Sequence, residues 1–198
     1  MLATTDAIVL SFQPYSDKAH ILHAYTRANG RVNYMVYGIG RKNAVGKYTP
    51  LSLIQITASY PSSGMPVIKE ASLSPLTSHL SPFTTDLYKQ TIALFLSEVL
   101  FHVLRHPMQD EIMFDFLTQA IQTLDQTEEP QNFHLQFLID FAAKLGFGIP
   151  ETSNLLTSNP LTRAERQQSL RDICAYYEEH VETWRPPRSL DVLMEIFD

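Results

Sequence analysis

The sequence predicts an α+β chain, a small five-stranded β-barrel followed by an all-helical half. Three observations point that way. Short β-prone runs separated by turn residues fill the chain up to Ser74. The composition shifts at Leu73-Ser74-Pro75, and Ser81-Pro82 follows. Beyond that point the apolar residues recur at helical spacing instead of strand spacing.

The strands come first. Ala7–Phe12 is a short apolar run of β-formers. Ala19–Thr26 and Arg31–Tyr37 flank Asn29-Gly30, a pair that favours the tight turn of a hairpin because both turn positions take positive φ. A two-residue loop there sets Ala28 opposite Arg31, Thr26 opposite Asn33 and Tyr25 opposite Tyr34. In that register Ile21, His23, Tyr25, Val32, Tyr34 and Val36 form the core face, and Thr26, Arg31, Asn33 and Tyr37 point outward. Leu51–Tyr60 and Met65–Ser72 read as a second hairpin around Pro61-Ser62-Ser63-Gly64. Five such strands with one long central connection suit a closed barrel of the OB type. The expected organisation is therefore an OB-fold domain over residues 1–78 and a helical domain over residues 79–198.

In the helical half, Leu87, Leu94, Val99 and Val103, with Phe95, Leu96 and Leu100 beside them, make a first helix apolar over much of its circumference, and so central. Asp110 is placed to cap a second, striped by Met113, Phe116, Leu117, Ala120, Ile121 and Leu124. Asn132 is placed to cap a third through Phe133, Phe137, Leu138, Phe141 and Leu145, with Gly146 where a terminating glycine belongs. A loop-like stretch from Gly148 to Pro160 leads to a helix over Thr162–Trp184, and Ser189 is placed to cap a last short one. The link between the halves is short, so they are expected to pack together.

Net charge is −6, but it is unevenly spread. Residues 1–78 hold seven Lys/Arg against three acids, while residues 79–198 hold eight against eighteen. Such asymmetry fits a nucleic-acid-facing part joined to an acidic one, and equally two solvated surfaces. The N-terminus lacks the basic segment and apolar run of a secretory signal, and every apolar stretch is too short to span a bilayer. With one cysteine, Cys174, a disulfide framework is excluded within the chain, and a reducing, cytoplasmic setting is expected.

No catalytic constellation assembles, so a non-enzymatic protein without cofactor or metal is expected. His20 and His23 lie three apart on a strand and point to opposite faces. His102 and His106 have a chelating helical spacing, but no carboxylate completes a motif, and histidine is favourable at a helix C-terminus in any case. Cys174 lies on the apolar stripe Leu170, Ile173, Tyr177, as a packed thiol would. Gly38-Ile39-Gly40 lacks the third glycine and the strand-turn-helix setting of a dinucleotide fingerprint.

The basic residues of the first half cluster between Arg27 and Lys47, interleaved with Tyr34, Tyr37 and Tyr48. Single-strand binders combine positive charge for phosphates with rings that stack bases. The candidate DNA-binding residues are thus Arg27, Arg31, Arg41, Lys42 and Lys47, with Tyr37 as the stacking ring. The bland alternative gives the tyrosines to the core and the charges to solubility.

At this point the chain resembles the RecO family. The resemblance rests on Pro14-Tyr15-Ser16-Asp17, Tyr25-Thr26, Gly30-Arg31, Gly38-Ile39-Gly40-Arg41 with Lys42, Tyr48-Thr49-Pro50 and Glu70-Ala71 in the first half. In the second half it rests on Ser97-Glu98-Val99-Leu100, Phe114-Asp115-Phe116-Leu117, Leu145-Gly146-Phe147 with Pro150, and Arg188-Ser189-Leu190. It implies a recombination mediator of DNA repair that binds single- and double-stranded DNA and anneals complementary strands. It also implies help in loading RecA onto strands coated by single-strand-binding protein, with RecR as partner and the tail of single-strand-binding protein received by the helical domain. Many members carry a four-cysteine zinc site after the Leu-Gly-x-x-Pro region; here Glu151–Pro160 holds no cysteine. The competing class is a protein-interaction adaptor with an OB-like barrel and no DNA binding, which the acidic second half favours. Because one thiol and scattered histidines do not supply four tetrahedral ligands, elemental analysis is expected to find no stoichiometric zinc, and chelators to leave the melting temperature unchanged. One zinc per chain would contradict this.

Overall fold

The computed structural model describes residues 1–38, 46–76, 86–150 and 161–196. Five strands come first: β1 Leu2–Ser16, β2 Ala19–Thr26, β3 Gly30–Tyr37, β4 Leu53–Ser59 and β5 Val67–Leu73. They close into a barrel in the order β1-β2-β3-β5-β4. All pairs are antiparallel except β3 with β5, which close the barrel in parallel at Met35–Val67. The chain is thus α+β with an OB-fold N-terminal half, as expected. β1 extends well beyond the expected Ala7–Phe12. It serves two partners, pairing with β4 over Leu2–Ile8 and with β2 over Ala7–Ser16, with irregularities between Val9 and Ser11 and between Pro14 and Ser16.

The β2–β3 register corrects the sequence expectation. Tyr25 pairs with Arg31, His23 with Asn33 and Leu22 with Tyr34, around the three-residue loop Arg27–Asn29. Among the described residues Asn29 does not take positive φ; Gly30 alone in this turn does, at 62°. The buried Thr26 hydroxyl holds the loop, accepting from the Asn29 N–H at 3.1 Å and donating to the Gly30 carbonyl at 3.0 Å. An odd shift in register exchanges the two faces relative to one another. Leu22, Ala24, Tyr34 and Val36 therefore fill the barrel, while His23, Tyr25 and Arg31 lie on its outer surface.

Helices α1 Leu87–Val103, α2 Glu111–Gln126, α3 Phe133–Lys144, α4 Arg163–His180 and α5 Leu190–Ile196 make the second half. Asp110 caps α2 as expected, its carboxylate accepting from the Met113 N–H at 2.9 Å. Asn132 does not cap α3 with its side chain, because a 3₁₀ turn, Pro130–Asn132, leads into the helix. Gly146, at φ 90°, ends α3: its N–H reaches the Ala143 carbonyl and that of Phe147 the Ala142 carbonyl. Thr162 and Glu165 cap α4 reciprocally, and this helix stops at His180, short of Trp184. The Ser189 hydroxyl does not serve the α5 N–H groups but donates to Glu98 at 2.8 Å. The expected boundary at 78/79 falls within residues 77–85, outside the described residues.

Two apolar clusters result. One fills the barrel. The other joins the helices to the outside of the barrel through Ile8, Leu10, Tyr25, Leu51 and Leu53. α1 lies at its centre, burying Ile92, Phe95, Leu96, Val99 and Leu100; Leu87 and Leu94, expected in its stripe, are exposed. Cys174 packs against this cluster, and burial pushes its thiol up to about 12. The thiolate is the reactive form, so Cys174 is expected to resist alkylation in the native protein and to react fully after unfolding. Rapid native modification would show an accessible nucleophile instead.

Candidate nucleic-acid interface

The structure does not gather the six candidate residues onto one surface. Arg27 turns to the helical half, pairing with Asp115 at 2.6 Å and stacking its guanidinium over Phe114, 4.6 Å from the ring centroid. Arg31 is held more deeply. Its Nη1 donates to the carbonyls of Phe101 at 3.1 Å and Leu104 at 3.4 Å, and the guanidinium lies 4.3 Å from the Phe101 centroid. Burial, and then the charge of Arg105, lower its pKa to about 10, so it stays charged at neutral pH. Arg31 is thus outside the barrel but between the two halves, where the sequence alone places it facing solvent.

Tyr37 is 58% exposed at the end of β3. The Gly38 N–H donates to the Lys18 carbonyl at 3.3 Å, which sets the β1–β2 turn beside it. That turn carries Lys18, and Tyr15, 64% exposed, lies just before it near the end of β1. Neither is among the DNA-binding candidates read from the sequence, although Tyr15 belongs to the Pro14-Tyr15-Ser16-Asp17 segment that carries part of the family resemblance. Arg41 and Lys42 lie outside the described residues. Lys47 is partly committed: its Nζ donates to the Ala71 carbonyl at 2.8 Å and lies 5.8 Å from the Tyr48 centroid. Tyr48 itself is buried at the mouth of the barrel.

A groove of about 990 Å³ runs between the barrel and the helices. On the barrel wall three rings stack in sequence, His20 on Phe12 and Phe12 on Tyr48, each pair 4.7 Å between centroids. Leu94 and Phe101 of α1 line the same groove, with Arg185 and Arg188 from the segment before α5. The groove's carboxylate, Glu98, is engaged by the Ser189 N–H at 3.0 Å and the Ser189 hydroxyl. His102 also lines the groove. Burial lowers its pKa, and Arg105, Arg185 and Arg31 press in the same direction. α1 ends at Val103, so His102 and His106 do not share a helical face as their spacing suggested. Among the described residues, no three His, Cys, Asp or Glu side chains come together as metal ligands.

Residues 1–84 match the family model described as "Recombination protein O N terminal", and residues 84–161 match "Recombination protein O C terminal". Three curated relatives, each aligned over the full length of both chains, carry the name DNA repair protein RecO. They come from Phocaeicola vulgatus at 32% identity, Bacteroides fragilis at 31% and Christiangramia forsetii at 30%. The chain belongs to the RecO family. It is a DNA repair protein of that family, with the family's OB-fold half in front of its helical half.

The Gly30-Arg31 pair of this RecO-family chain now has a physical account. Gly30 takes a left-handed φ, and a Cβ there would sit 2.3 Å from the Met108 carbonyl oxygen, where the β2–β3 turn meets the loop after α1. The Arg31 N–H donates to the His106 carbonyl at 3.4 Å, and its side chain covers the last carbonyls of α1, the negative end of the helix dipole. Gly30→Ala combines the left-handed penalty with a clash against backbone and is expected to destabilise by about 3 kcal/mol in urea unfolding. Arg31→Lys is expected to recover only part of the loss seen in Arg31→Ala, because one ammonium does not reproduce the planar fork over Phe101. A Gly30→Ala variant as stable as the wild type would show that the two halves do not meet this way.

Proposed function

We propose that this chain is a non-enzymatic, DNA-binding recombination mediator that binds single- and double-stranded DNA and anneals complementary strands. In this reading it helps RecA load onto single-stranded DNA, working with RecR and with the tail of single-strand-binding protein. Its place is the bacterial cytoplasm, at the nucleoid. Family membership supports the DNA repair setting. The observation that carries DNA binding is the barrel end on which exposed Tyr37, Tyr15 and Lys18 lie together. The basic segment Arg41, Lys42 and Lys47 follows directly in the chain. Tyr37 offers an open ring for a base, and the cations offer phosphate contacts. Arg27 and Arg31 belong instead to the junction between the halves.

The acidic helical half repels phosphate over much of its surface and so orients DNA toward the barrel. Changing Arg41 and Lys42 together to Ala is expected to weaken binding to all sequences alike and to flatten the salt dependence by up to about two, one per phosphate contact. Thermal melting of the double variant separates this loss of binding from a loss of folding. Tyr37→Ala is expected to lower single-strand affinity by about 1–3 kcal/mol if the ring stacks a base. Fluorescence anisotropy across salt concentrations, together with a strand-annealing assay, measures all of these. A wild-type protein that binds no oligonucleotide at low salt would leave the adaptor reading in its place.

A further inference from the structure

We propose that the groove between the barrel and the helices is a second contact site for single-stranded nucleic acid, one to which the helical half contributes the cations. The inference rests on the DNA-binding reading above but concerns a different surface. Three features favour a nucleotide strand. The first is the ring stack: Phe12 has a ring on each face and Tyr48 is buried, but His20 is only partly buried and ends the stack. A base laid on the free side of His20 would continue it, as bases continue aromatic platforms in single-strand binders.

The second feature is charge. The helical half is strongly acidic, yet Arg185 and Arg188, both exposed, stand in this groove. Among the described residues Arg188 has no hydrogen-bond or ion-pair partner, and the one carboxylate of the lining, Glu98, is already taken by Ser189. Arg105, Arg185 and Arg31 stand near His102, with Glu98 acting against them, so this end of the groove gathers more cations than acids. The third is size. About 990 Å³ is at the top of the range for pockets that enclose a small ligand, which suits a short run of unpaired nucleotides and not a duplex.

The groove also exposes the edge of β1 beyond Val9, whose backbone makes the last bonds on that side, to Leu51 and Ser52. An open strand edge suits an extended peptide, but it does not account for two exposed arginines in the same groove as a ring stack. The strand of nucleic acid uses both walls.

The test is a charge-removing double variant, Arg185→Ala with Arg188→Ala, in the full chain, with thermal melting to verify the fold. The probe is a short single-stranded oligonucleotide carrying 2-aminopurine, alongside a duplex of the same length. The variant is expected to lose about tenfold in single-strand affinity and about 1.4 in salt slope, two contacts at about 0.7 each, while duplex affinity changes little. His20→Ala is expected to relieve 2-aminopurine quenching while keeping most of the phosphate-dependent affinity. Wild-type single-strand binding by the double variant, while Arg41→Ala with Lys42→Ala loses it, would overturn the groove proposal alone and leave the open β1 edge to a peptide. Equal loss for single strand and duplex would also overturn it, since a general field and not a groove would then be at work. No oligonucleotide binding by the wild type would overturn both readings.

Discussion

The guanidinium of Arg31, set against the last carbonyls of α1, is the contact on which the arrangement of the two halves depends. A half-buried arginine is costly to desolvate, and its Nε, itself buried, has no hydrogen-bond partner among the described residues. The Phe101 and Leu104 carbonyls at the negative helix end and the Phe101 ring face offset that cost together. Gly30 makes the approach possible, since only a residue without Cβ fits against Met108. With the turn seated there, Tyr25 meets Phe114, His23 meets the edge of Phe101, and Arg27 reaches Asp115. The outer face of the β2–β3 hairpin is thereby spent on the junction between the halves.

That constraint explains where the site can and cannot be. OB-folds commonly bind nucleic acid around strands 2 and 3 and the adjoining loops. Here the turn end of that surface is covered by α1 and α2, and the opposite end, with Tyr37 beside the β1–β2 turn, stays open. The groove opens past the contact of α1 with Ile8 and Leu10, where Ser11–Pro14 line its barrel side.

Much of the fold was legible in the residues. β2 matches its expected span, and the other strands differ at their ends, β1 most. The Asp110 cap and the Gly146 terminator follow directly from local chemistry. The β2–β3 register was not legible, because Asn29-Gly30 permits both a two-residue and a three-residue loop and the choice is made by the buried Thr26 hydroxyl. Nor was the fate of Arg27 and Arg31: in sequence they are two more basic residues near a turn, and only the helical half supplies Asp115 and the α1 carbonyls. Ser189 looked like a cap because nothing in its neighbourhood announces Glu98, ninety-one positions away.

The charge pattern can now be read by place instead of by total. Of the seven cations in the first half, Arg27 and Arg31 are neutralised or half-buried at the junction and Lys47 is tied to a backbone carbonyl. The excess that remains to meet phosphate is therefore smaller than the count implies. In the second half the reverse holds. Its acids dominate the sum, but the arginines before α5 line the groove, and the carboxylate that lines it with them is held by Ser189. Field lines in a cleft walled by low-dielectric protein depend on the charges that line it more than on the distant total. A chain with net charge −6 can thus still gather cations locally, as Arg185 and Arg188 do in the groove. In the proposed reading, the acidic surface restricts DNA to such places instead of opposing its binding.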